Sequence, residues 1–178
     1  MKLWHELPTP RLAQQQKETL EFLERRKVSH QRQQICYFDL EGLAEMPAVQ
    51  AELADLGLLD HMVSMAVHVL PPGRPQAIHI DTIVAHKYSY NIPVLNCEQS
   101  SVIYYESTQP LRPVLNMAHT MAPNQARSIT YFDFDPETCR EIDRFTMTQP
   151  TIICTGVPHN VLVDPPLLRI ALLCRIGM

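Results

Sequence analysis

Two side chains with complementary coordination chemistry stand close together in Ile78-His79-Ile80-Asp81. In an extended strand, residues two apart point to the same face. The imidazole of His79 and the carboxylate of Asp81 would therefore lie side by side, with Ile78 and Ile80 packed behind them. Such a pair supplies two ligands of a two-histidine, one-carboxylate iron site, provided a second histidine reaches it. A candidate stands near the C-terminal end, in Val157-Pro158-His159-Asn160-Val161. Beyond it come Asp164-Pro165-Pro166 and then Leu167-Leu168-Arg169-Ile170-Ala171. A turn centred near Pro165 predicts a hairpin with Val161 roughly opposite Arg169, which would project His159 and Arg169 to one side. An ion held by three such ligands keeps open positions for other ligands. The planar fork of an arginine grips a carboxylate through two parallel charge-assisted hydrogen bonds, where a lysine would hold only the charge.

These residues need elements to hold them, and the chain divides near residue 60. Thr9-Pro10 reads as an N-cap followed by proline at the first helical position, opening a helix to about Lys27. Ile35 to Leu40 reads as a strand. Pro47 opens a second helix in which Val49, Leu53 and Leu56 recur at helical spacing, and Gly57 stops it. From His61 onward the chain is β-branched and apolar. The run HMVSMAVHVL ends at Pro71-Pro72-Gly73, and six more runs follow: Gln76–Asp81, Lys87–Leu95, Ser101–Glu106, Arg127–Phe134, Thr151–Thr155 and His159–Val163. Leu167–Ile176 makes an eighth. Short strands with turn residues between them predict a sandwich or jelly roll. Ser107 to Ala126 reads as a loop over an open end of that barrel.

Composition narrows the class. A chain of 178 residues, 46% hydrophobic and 19% charged, fits a single folded domain. Its N-terminal 1–59 would be a helical support and 60–178 the jelly-roll core. The net charge of −4 argues against a nucleic-acid partner. No apolar run approaches the length of a membrane-spanning helix, and the N-terminus lacks the apolar stretch of a signal peptide. Five widely spaced cysteines form no C-x-x-C, so neither a disulfide framework nor a zinc knuckle is expected, and the cytoplasm is the expected compartment. Fifteen prolines against five glycines suit strands separated by stiff turns.

The order His79-x-Asp81, His159 and then Arg169 resembles the iron(II)/2-oxoglutarate-dependent oxygenases, in the form of a small hydroxylase. The resemblance spans roughly Met62 to Arg175 and extends to the flanking runs LPPG, NIPVLN, VPHNV and LRIALL. It implies a mainly β double-stranded β-helix, a jelly-roll barrel of cupin-like shape with N-terminal buttressing helices. It implies ferrous iron on His79, Asp81 and His159, and 2-oxoglutarate as cosubstrate with its far carboxylate on Arg169. It also implies a small-molecule or amino-acid-like substrate, dioxygen as co-reactant, and succinate and carbon dioxide as coproducts. With Asp81 present, C–H hydroxylation or a related C–H oxidation, such as desaturation or cyclisation, is expected over halogenation. Many members carry a hydroxyl residue two places after the arginine, where this chain has Ala171, so another donor must complete the carboxylate site. Tyr88, Tyr90 and Asn91 are the candidates.

Other residues have simpler readings. His61 and His68 lie in a strand-like run and read as structural or surface groups. His86 has the wrong parity to join Asp81, and His119 falls in the expected loop. Arg175 reads as half of a surface ion pair, and Cys97 and Cys154 as small buried hydrophobes. The same barrel also serves cupin-like modules that bind a metal or ligand without oxygenase activity, and fold alone does not separate the two.

Overall fold

The computed structural model describes residues 2–29, 34–72, 76–81, 87–108, 113–118, 127–164 and 167–177. Along them the chain runs through β1 (Trp4–Glu6), α1 (Leu12–Arg25), β2 (Gln34–Phe38), α2 (Pro47–Asp55), β3 (Met62–Leu70) and β4 (His79–Ile80). It continues through β5 (Tyr88–Leu95), β6 (Ser100–Ser107), β7 (Pro113–Ala118), β8 (Arg127–Asp133), β9 (Cys139–Phe145), β10 (Thr151–Cys154), β11 (His159–Val163) and β12 (Arg169–Ile176). One six-stranded sheet has the order β1-β10-β5-β12-β3-β2, and the other β7-β8-β4-β11-β6-β9. The pairings within each are antiparallel. From β3 to β6, and again from β9 to β12, the chain alternates between the sheets. That winding is a double-stranded β-helix, the jelly roll expected from the sequence.

Alternation along β12 sets the layers. Ile170, Leu172, Cys174 and Ile176 join Phe22, Leu23, Val49 and Leu53 in a core between the first sheet and the two helices. The intervening residues face the second sheet, where Leu70, Val102, Tyr104, Phe145, Ile153 and Val161 pack with Ala171 in a second core. The helices therefore buttress one sheet from outside, and the barrel keeps its own interior.

The helices begin and end for reasons only partly visible in the sequence. Thr9 does not cap α1. Its hydroxyl donates to Glu52 at 2.7 Å and accepts from the Arg11 amide, tying the helix start to α2. Lys27, in the left-handed region, closes α1 just beyond Arg25. Pro47 opens α2 as expected, and its Ala48 amide donates to the Glu18 carboxylate at 2.8 Å. Gly57 is left-handed, as a helix stop needs.

The structure corrects three expectations. First, β7 occupies part of the segment read as a loop. Second, β1 and β9 are strands that hydrophobic patterning did not reveal: β9 (CREIDRF) is charged and largely exposed at a sheet edge, where charge blocks further pairing. Third, β11 and β12 are not a hairpin: β11 pairs with β4 and β6, whereas β12 pairs with β3 and β5. The two strands lie in different sheets. Gly73, His86, His119 and the Pro165 turn lie outside the described residues, as does much of 107–126.

Leu172 is fully buried between β12 and the helices, whereas Leu162 is 41% exposed. Leu172→Ala is expected to cost about 2–5 kcal/mol in urea unfolding and Leu162→Ala less than about 0.5 kcal/mol. Equal losses would contradict the layering.

Candidate functional site

The polar side chains of the two inner faces meet in one pocket. Its wall includes His79, Asp81 and His159 together with His68, Arg169 and Arg175. His79 and His159 are cross-strand partners on β4 and β11, so their rings share a face, with centroids 4.6 Å apart. Asp81 follows β4 by one residue and returns to that face, while Ile78 and Ile80 pack behind with Phe134. One ligand atom from each of His79, Asp81 and His159 lies within 4.8 Å of the others.

Backbone carbonyls orient both rings. His79 Nδ1 lies 2.9 Å from Ala77 O, and His159 Nδ1 lies 2.9 Å from Val157 O. Each carbonyl accepts a hydrogen bond from Nδ1–H, which turns Nε2 toward the centre, as metal-binding histidines need: His159 presents a lone pair there, and His79 presents one once the proton facing Asp81 is displaced. His79 Nε2 faces Asp81 Oδ1 at 3.3 Å. The other carboxylate oxygen, Oδ2, accepts from Arg175 Nη2 at 3.1 Å.

Charge explains the protonation states. Burial alone would push the Asp81 carboxyl up, but Arg175 and the two histidines hold it well below the ordinary carboxylate range. Burial opposes a charge on His79 too, yet its contact with Asp81 raises its pKa. His159 goes the other way, pushed down to about 4 by burial and by His79. His68 is pushed down to about 3 by burial and by Arg169. On β8, Asp133 lies directly across from His79, and burial raises its carboxyl.

The remaining residues singled out in the sequence separate by strand parity. Arg169 is 2% exposed and lines the pocket, with its Nε donating to Ser100 Oγ at 2.9 Å. Asn91 lines it as well, beside Ser89. Tyr90 does not: it faces away and packs among Phe22, Val49 and Ile170 in the helix-side core. Tyr88 shares the parity of Tyr90 and is absent from the pocket wall. Because Tyr90 and Asn91 are adjacent on one strand, they could never both have faced the pocket. Arg175 corrects its own reading, since it is 6% exposed and its partner is Asp81 inside the barrel. Its odd number, shared with Arg169, was the available signal. His68 is likewise an interior group, buried against the same pocket.

No family model matches the chain, and no curated protein does. Among solved structures it is similar to a Pseudomonas putida prolyl-4-hydroxylase, at 13% identity and a TM-score of 0.47, over 98% of this chain and 86% of that one. A Shewanella oneidensis protein follows at 15% identity and a TM-score of 0.29, over 65% of this chain and 56% of that one. The capsular polysaccharide assembling protein CapF of Staphylococcus aureus matches at 14% identity and a TM-score of 0.28, over 90% of this chain and 41% of that one. Overlaps this loose bear on neither fold nor chemistry. The fold rests on the strand order, and the site on its side chains.

Two outcomes follow from the buried charges. Arg175→Gln strands the Asp81 carboxylate and is expected to cost about 3–5 kcal/mol in the metal-free protein. The double variant with Asp81→Asn should recover much of that loss in urea unfolding, and strict additivity would contradict the pairing. For His68, the unfolded chain binds a proton near the ordinary value of 6.5 and the folded one only near 3. Between those values the unfolded state holds more protons, so stability falls as the medium is acidified, by at most about 1.4 kcal/mol per pH unit from this group. His68→Gln should make the pH dependence shallower in that window; an unchanged slope would contradict a buried neutral His68.

Proposed function

We propose that the chain is a non-haem iron(II)/2-oxoglutarate-dependent oxygenase that hydroxylates a small, amino-acid-like molecule. One observation carries the reading. Two oriented imidazoles and a carboxylate converge in a buried pocket that also holds a guanidinium whose Nη1 is buried and without a partner among the described residues.

The donor set fits a ferrous ion. His79 and His159 would each bind through Nε2, and Asp81 through Oδ1. Arg175 holds Oδ2, so it favours binding through one oxygen and keeps coordination positions free. The proton that His79 shares with Asp81 is what a divalent cation would displace. When bound, the iron supplies dioxygen activation coupled to oxidative decarboxylation of the 2-oxo acid, giving succinate and carbon dioxide.

The other side chains bind and orient. Ser100 fixes the Arg169 guanidinium by accepting from Nε, and Nη1, buried without a partner among the described residues, would donate to a carboxylate entering the pocket. Asn91 and Ser89 offer amide and hydroxyl groups on the same wall. Val102, Ile153, Val161 and Leu173 supply the apolar lining that excludes water around them. Asp81 keeps a carboxylate where a halogenating centre needs a position for chloride, so the reading is C–H hydroxylation.

The test is succinate formation from 2-oxoglutarate with ferrous iron across a panel of small amino-acid-like substrates. His79→Ala and His159→Ala are each expected to abolish turnover and to lose tight Mn(II) binding. Arg169→Lys should raise the 2-oxoglutarate requirement by roughly thirty- to a thousandfold, the equivalent of about 2–4 kcal/mol for a lost charge-assisted pair, with metal affinity retained. Metal binding without any 2-oxoglutarate binding would favour a cupin-like metal-binding barrel instead.

A further inference from the structure

Arg169 is committed at one edge only. Its Nε donates to Ser100 Oγ, and that hydroxyl in turn donates to Cys97 O at 2.8 Å. The hydroxyl's proton is therefore spent on the backbone. Nη1 of the same guanidinium is buried without a partner among the described residues. A carboxylate set against it would accept from the fork but has lone pairs for further donors, and leaving them unmet inside a barrel is costly. The next inward residue on β12 is Ala171, whose methyl offers nothing.

The cross-strand partner of Ala171 is His68 on β3. Directly opposed residues in an antiparallel pair share a face, with Cβ atoms about 4.5–5.5 Å apart. The small alanine leaves the imidazole room on the pocket side, next to Arg169. His68 is 4% exposed, lines the same pocket, and its Nε2 is buried without a partner among the described residues. Two unpartnered polar atoms on adjacent strands, at the wall of one pocket, have a common explanation in one ligand that accepts from both.

We infer that His68 completes the anion subsite of this pocket, donating from Nε2 to the far carboxylate of the 2-oxo acid that Arg169 grips, in the place where Ala171 has no donor. The inference rests on the function proposed above. A neutral imidazole suits the role, because burial and Arg169 both oppose a second cation there. It adds a hydrogen bond to a charged acceptor without adding a charge, and the stiff β3 backbone holds it in place.

The experiment uses the full chain loaded with Mn(II) and measures calorimetric affinity for two probes. These are 2-oxoglutarate and 2-oxobutanoate, which keeps the oxo acid and lacks the far carboxylate. His68→Leu is expected to weaken 2-oxoglutarate about ten- to a hundredfold and to leave 2-oxobutanoate within about twofold, since only one hydrogen bond to a charged group is lost. Adding Ala171→Ser to that variant returns a donor from the facing strand and should recover most of the affinity. His68→Met serves the same purpose if the leucine variant does not fold, and retained 2-oxobutanoate affinity certifies either variant. Unchanged 2-oxoglutarate affinity overturns the inference, with the histidine then meeting only water. Equal loss of both probes also overturns it, because the histidine would be supporting the pocket as a whole. If Arg169→Lys fails to separate the two probes as well, the oxygenase reading itself falls.

Discussion

Two arginines are buried on one strand of this barrel. A guanidinium cannot shed its charge inside a protein, so each must meet an anion or a set of acceptors. Arg175 has its anion in Asp81. Arg169 has one hydroxyl, from Ser100. Between these two unequal solutions lies the chemistry of the pocket: the ion-paired arginine organises a carboxylate beside two histidines, and the one without an anion leaves donor capacity for something that enters.

The fold makes that burial tolerable. β12 lies between β3 and β5 near the middle of its sheet, with its apolar face sealed by α1 and α2. The arginines are therefore anchored on a backbone paired on both sides. The second sheet brings the histidines from the opposite wall, and β4 and β11 place them in register as cross-strand partners. Cys97 and Ser100, just before and at the start of β6, hydrogen-bond to Ile170 and Arg169 and so tie the start of β6 to the start of β12. The site is thus built from the inner faces of facing sheets, with the two metal-facing histidines on one and the two arginines on the other.

Strand parity made much of this legible in the sequence. It placed His79 with Asp81, and by the same rule it would have excluded Tyr90 and admitted Arg175. What parity could not supply is which strands pair. The run from His159 to Arg169 looked like a hairpin because a proline turn separates two apolar segments, yet β11 and β12 belong to different sheets. Pairing partners are set by contacts far apart in sequence, and short connections in a jelly roll resemble those in a hairpin. β9 was hidden for a related reason: an edge strand with one wet face and charged side chains loses the apolar alternation that marks the central strands. His68 was passed over because its role depends on Ala171 standing opposite, a relation between strands that no local pattern records.

The most direct measurement is a crystal structure of the chain with Mn(II) and 2-oxoglutarate under anaerobic conditions. On this account the metal is held by His79 and His159 through Nε2 and by one oxygen of Asp81, with Arg175 still on the other oxygen and the far carboxylate against Arg169. A metal bound elsewhere, or a 2-oxo acid whose far carboxylate lies away from Arg169, would contradict it.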